Sequence, residues 1–173
     1  ILSPYYNTNG AFIDKIIQDI QPQEIHCIVD PLYGSIPHKN ENKNKIEFSD
    51  WNNLKRSEKY STNRLHAKAI QFEYETETYF LFGSANATNE AFGVNSSSSI
   101  NAEVSILAHN NKPKDYFNEL GINFPKKGNY SIEEYDYKSH IESNDNDRLK
   151  YPVFINNVEI DANAIPLSLE NKV

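Results

Sequence analysis

The chain has 173 residues, with 24 acidic against 17 basic side chains, a net charge of -7 and a sequence pI near 5.2. An apolar share of 38 % is enough for a core and too high for a wholly disordered chain, so one compact domain with a tail is the default. The acidic balance excludes a wholesale polyanion binder, and the mean hydropathy of -0.69, with no run near the roughly 18 apolar residues of a spanning helix, points to a soluble, cytoplasmic protein without a membrane partner.

Ile1-Leu2-Ser3 reads as the end of a strand, and with no initiating methionine the expectation is a fragment whose upstream partner is missing. Phe12, Ile13, Ile16, Ile17 and Ile20 recur at helical spacing after Asn9-Gly10, and Pro22 stops the helix. Glu24 to Val29 is short, apolar and β-branched, a buried strand that ends at Asp30-Pro31. Within it, the single cysteine, Cys27, excludes an internal disulfide and reads as an inert buried thiol. Pro37 to Lys45 is a polar loop, Ile46-Glu47-Phe48 a short strand, and Trp51 to Lys59 helical or irregular.

Between Arg64 and Gly83 lies the strongest strand signal: Leu65 to Tyr74, a polar break at Glu75-Thr76-Glu77, then Tyr79 to Gly83, which together read as a hairpin. Asn86 to Phe92 suits a short helix, Ser96 to Ser99 a loop, Ala102 to Ala108 a strand, and Lys112 to Leu120 a helix ended by Gly121. The alternation implies an α/β fold, a mixed β-sheet flanked by helices. Three parts follow: a domain over 1–125, a polar acidic linker over 126–150, and a tail over 151–173 that could open a further β-rich segment.

The chemistry concentrates in His66-Ala67-Lys68 and Gly83-Ser84-Ala85-Asn86. Residues two apart on a strand share a face, so His66 and Lys68 project together, and a hairpin folds Ser84 and Asn86 back beside them. Gly83 lets a bound group approach the backbone. A neutral imidazole is a nucleophile near neutral pH, while a lysine and an amide can grip phosphoryl oxygens as charge builds. No carboxylate cluster stands beside them, so neither a two-metal mechanism nor a cofactor is indicated. The bland alternatives are an exposed polar strand face for His66 and Lys68, and helix capping for Ser84 and Asn86.

These residues resemble the phospholipase D-like superfamily, whose pattern is His-x-Lys, four residues, Asp, then Gly-Ser-x-Asn. His66, Lys68, Gly83, Ser84 and Asn86 match as they stand, whereas Glu73 occupies the aspartate position. With Ser3-Pro4-Tyr5-Tyr6 and Ala87-Thr88, the wording looks most like bacterial nuclease domains of restriction and phage defence. The resemblance covers 1–120 loosely and 64–92 closely. It implies a phospholipase D-like half, with His66 as nucleophile, Lys68, Ser84 and Asn86 on phosphate oxygens, and a later acid, Glu103, orienting the histidine. It also implies a second histidine, from a homodimer or from an upstream half-domain.

Lys55, Arg56, Lys59 and Arg64 form a positive stretch in an acidic protein, with Trp51 and Tyr60 as stacking surfaces, which reads as a DNA path or as a solvated helix face. His26, His38, His109 and His140 carry no such pattern. Three classes compete: a metal-independent phosphodiesterase acting on DNA, a phospholipase or phosphatidyltransferase with the same catalytic residues, and a non-catalytic half that pairs with an active copy. No apolar helix, basic amphipathic helix or anchor supports the second.

Overall fold

The computed structural model describes residues 1–42, 45–54, 64–94 and 101–135. Helix α1 (Ala11–Ile20) leads into strand β1 (Ile25–Val29) and strand β2 (Ile46–Asp50). Strands β3 (Ala69–Glu73) and β4 (Thr78–Gly83) form the hairpin, followed by helix α2 (Asn89–Phe92), strand β5 (Ser105–Asn110) and helix α3 (Tyr116–Glu119). β1 and β2 pair in parallel, while β3, β4 and β5 pair antiparallel in that order. Leu2 joins the two groups, bridging Ile28 in parallel and Ala69 antiparallel. Its amide donates to Ala69 O at 2.8 Å and its carbonyl accepts from Ala69 N at 2.9 Å. The α/β class and the mixed sheet follow directly from this pairing.

Cores lie on both faces. Phe12, Ile13 and Ile16 of α1 pack on Ile25, Cys27 and Val29, whereas Ile28 faces the other way, with Leu2, Trp51, Leu65, Phe80 and Phe117. Adjacent strand residues point to opposite faces, so a strand buried on both sides needs consecutive apolar residues, as Cys27, Ile28 and Val29 supply in β1. Burial pushes the Cys27 thiol up to about 11, in keeping with an inert group. His26, beside it, is held down at about 4 by burial and by the Ile1 ammonium.

Several elements are shorter than the sequence pattern suggests. Leu65 to Lys68 is not part of β3, because the Leu65 amide is taken by the Asp30 side chain and not by a ladder partner. α2 is a single turn, capped by Thr88 Oγ1 accepting from Ala91 N and ended by left-handed Gly93. α3 begins only at Tyr116, where Asp115 caps it, since Pro113 cannot supply a helical N–H. Residues 128–135, expected as linker, lie against β2: Tyr130 N donates to Phe48 O at 3.1 Å and Ile132 is buried. The rest of the expected linker and the tail fall outside the described residues. Among those described, no helix is long and apolar enough to cross a membrane.

Candidate active site

Gly83 N donates to Lys68 O at 3.2 Å, and Ser84 N donates to Val104 O at 2.9 Å. The hairpin therefore carries Gly83 and Ser84 to the same end of the sheet as Lys68. A Cβ on Gly83 would stand 2.2 Å from Val104 O, so the glycine is required by the close approach of β5, a tertiary reason beyond any need of a bound group.

Lys68 Nζ donates to His66 O at 2.8 Å and lies 3.4 Å from His66 Nε2. An ammonium has only donors, so a hydrogen bond between the two requires the tautomer with Nε2 unprotonated and the ring proton on Nδ1. That leaves the basic nitrogen of an exposed imidazole beside a cation. Partial burial holds the Lys68 ammonium below its ordinary range, and the negative charge of Glu103 acts in the opposite sense.

Glu103 occupies a different place from the one the resemblance implies. Its carboxylate accepts from Ser84 Oγ at 2.5 Å and from Asn101 Nδ2 at 3.2 Å, with no hydrogen bond to His66. The Ser84 hydroxyl also accepts from Val104 N at 2.9 Å. Ser84 thus ties the acid and the start of β5 to the site, and its hydroxyl proton is engaged there. Asn86 differs: its Oδ1 is shielded from solvent and makes no hydrogen bond among the described residues. Its amide retains polar capacity that a buried group ordinarily spends. Since Thr88 caps α2, helix capping does not account for Asn86.

Glu73 lies at the far end of β3 from Lys68, exposed and accepting from Gln71 Nε2. Five strand residues span about 15 Å, so this acid does not reach the site. Of the basic stretch, Lys55, Arg56, Lys59 and Tyr60 lie outside the described residues. The Arg64 guanidinium stands 4.5 Å from the Tyr33 ring centroid. Trp51, expected as a stacking surface, is a core residue, 3 % exposed. A cleft of about 840 Å³ opens beside His66 and Lys68, with Phe82, Tyr116 and Leu120 in its wall.

Two residues that the sequence pattern marks only as strand ends, Ser3 and Asp30, are buried directly behind the motifs. Each is the first polar residue after an apolar strand, which was the available signal. No protein-family model, curated protein or solved structure matches the chain.

Proposed function

We propose that the chain is the catalytic half of a metal-independent phosphodiesterase that cleaves DNA through a phosphohistidine, in the manner of phospholipase D-like nucleases of restriction or phage defence. One observation carries the reading: the two motifs, 17 positions apart from His66 to Gly83, meet at one sheet end, where Lys68 contacts both the His66 ring and the Gly83 amide. His66 Nε2 attacks phosphorus, and a P–N bond forms as the P–O bond to the leaving oxygen breaks. A second imidazole protonates that oxygen, then takes a proton from the water that splits the P–N bond and frees His66. Lys68 exchanges its resting contact with His66 for a non-bridging phosphoryl oxygen, and the Asn86 amide takes another.

The second imidazole comes from a second copy of the chain, because one sequence with one motif supplies both histidines through a two-fold axis. Phe82, Val104, Ile106 and Leu107, large apolar residues exposed on and around the β5 edge, support a covering copy there. An upstream half in the same polypeptide would serve the same chemistry. The exposed Phe82 and Leu120 in the cleft favour a second reading, a phosphodiester with an apolar substituent, as in a phospholipid.

Plasmid DNA and phospholipid vesicles, each incubated with the chain in excess chelator, separate these readings. DNA cleavage supports the nuclease, and lipid turnover selects the lipase. Neither activity, from a chain that sediments as a dimer, marks a non-catalytic pairing module.

A further inference from the structure

Leu2 and Ile28 are neighbours on parallel segments, so Ser3 and Asp30 stand at the same, carboxyl-terminal edge of the sheet. Both are almost completely buried, at 1 % and 0 % exposure. Apolar strands do not need a hydroxyl and a carboxyl group at their ends, and such groups are costly to bury unless each oxygen is hydrogen-bonded.

The partners of those oxygens are specific. Asp30 Oδ1 accepts from Leu32 N at 3.2 Å and Tyr33 N at 3.1 Å, while Oδ2 accepts from Leu65 N at 3.0 Å. Leu65 immediately precedes His66. Ser3 Oγ donates to Tyr5 O at 2.8 Å and accepts from Ala87 N at 3.1 Å. Ala87 immediately follows Asn86. One buried side chain therefore holds the backbone next to the histidine, and another holds the backbone next to the asparagine.

Each clip has a local brace. A Cβ on Gly34 would stand 2.0 Å from Pro4 O, so the loop that Asp30 folds is pressed against the loop that Ser3 folds. Tyr6 bridges Ala87 in parallel, and its hydroxyl donates to Ile28 O at 2.8 Å. The chain segments bearing His66 and Asn86 thus share one frame, although neither is part of a strand at that point.

We infer that Asp30 and Ser3 are positioning residues for the phosphodiester site, fixing the His66 and Asn86 backbones relative to one another through the Leu65 and Ala87 amides. The inference rests on the proposed phosphodiesterase reading for its kinetic consequence, while its geometric content stands without it. A misplacement near 1 Å costs on the order of 100-fold in rate, so the expected loss falls on kcat, with KM moving much less.

The test compares Asp30→Asn, Ser3→Ala and Ser3→Thr with the unaltered chain and with Ile46→Val, a buried core change at the opposite end of the β1–β2 pair from Asp30. Asp30→Asn exchanges one acceptor oxygen for an NH2 group, Ser3→Ala removes the acceptor, and Ser3→Thr retains it. Turnover of bis(4-nitrophenyl) phosphate in chelator gives kcat and KM for folded protein, and NMR titration of the His66 ring gives a readout that needs no activity. Expected are a fall in kcat of about 100-fold and a displaced His66 titration for Asp30→Asn and Ser3→Ala, with recovery in Ser3→Thr. Ile46→Val should lose stability and alter neither readout. If Asp30→Asn does not fold, the Ser3 pair decides. Unchanged kcat and unchanged His66 titration in the folded variants would overturn the inference. An inactive unaltered chain whose His66 titration still responds to the clips would count against the phosphodiesterase reading alone.

Discussion

β1 and β5 belong to one mixed sheet and are treated oppositely by the rest of the molecule. In β1, Cys27, Ile28 and Val29 are fully buried, with α1 over one face and Leu2, Trp51 and Phe80 on the other. In β5, Ile106 and Leu107 point to opposite faces and are 57 % and 59 % exposed. The site lies between them, framed from the β1 side by Ser3 and Asp30 and closed on the β5 side by the Ser84–Glu103 contact. Stability therefore resides in the β1 half, and the proposed chemistry and partner surface in the β5 half. Groups that serve a reaction are free of the packing that stabilises a core, which is why the two separate.

Substitution at the proposed catalytic end should break this comparison most sharply. His66→Ala should remove phosphodiester cleavage, a loss of about 1000-fold or more, with the melting temperature unchanged because the ring is exposed. Retained cleavage in chelator would reject the nucleophile assignment. Lys68→Ala should follow with a loss of about 100- to 1000-fold, the scale for removing a donor to developing charge.

A matched pair then weighs the two strands. Ile28→Ala empties a fully buried site and should cost about 2–5 kcal/mol in urea unfolding, whereas Leu107→Ala should stay within about 0.5 kcal/mol when unfolding is followed at a concentration too low for pairing. Equal costs would show that β5 is covered in the folded monomer. On the same strand, Ile106→Glu with Leu107→Glu should convert a dimer to a monomer in sedimentation and abolish cleavage while leaving the fold intact by circular dichroism. A dimer that persists would move the proposed interface elsewhere.

A modest pH dependence is expected from the β1 half. His26 is held at about 4, below the ordinary 6.5, by burial first and the Ile1 ammonium second. The unfolded chain therefore binds the extra proton between these values, and stability falls as pH drops from about 6.5 towards 4. Because the ring is partly solvated, the contribution is discounted to about 1 kcal/mol. Thermal melts of the unaltered chain and His26→Gln across that window check it, and the slope should flatten in the variant.

How much of this was legible beforehand can be followed residue by residue. The apolar spacing of Phe12 to Ile16 and the run from Ile25 to Val29 determined α1 and β1, because each buries its own side chains and needs no distant partner to be periodic. The hairpin of β3 and β4 was legible for the same reason, and with it the meeting of Lys68 and Gly83. His66, Lys68 and Asn86 were legible as residue types whose chemistry suits phosphorus. Trp51 was misread as a stacking surface, since an aromatic beside cations looks the same in sequence whether it faces solvent or core. Asp30 and Ser3 could not be distinguished from ordinary strand ends. Their partners, Leu65 and Ala87, lie 35 and 84 positions away, and a hydrogen bond to a backbone amide leaves no mark on the identity of the residue that donates it. The sequence by itself thus determined the local elements and the candidate reacting groups. Tertiary structure decided what holds those groups in register, because that depends on backbone amides that every residue except proline possesses.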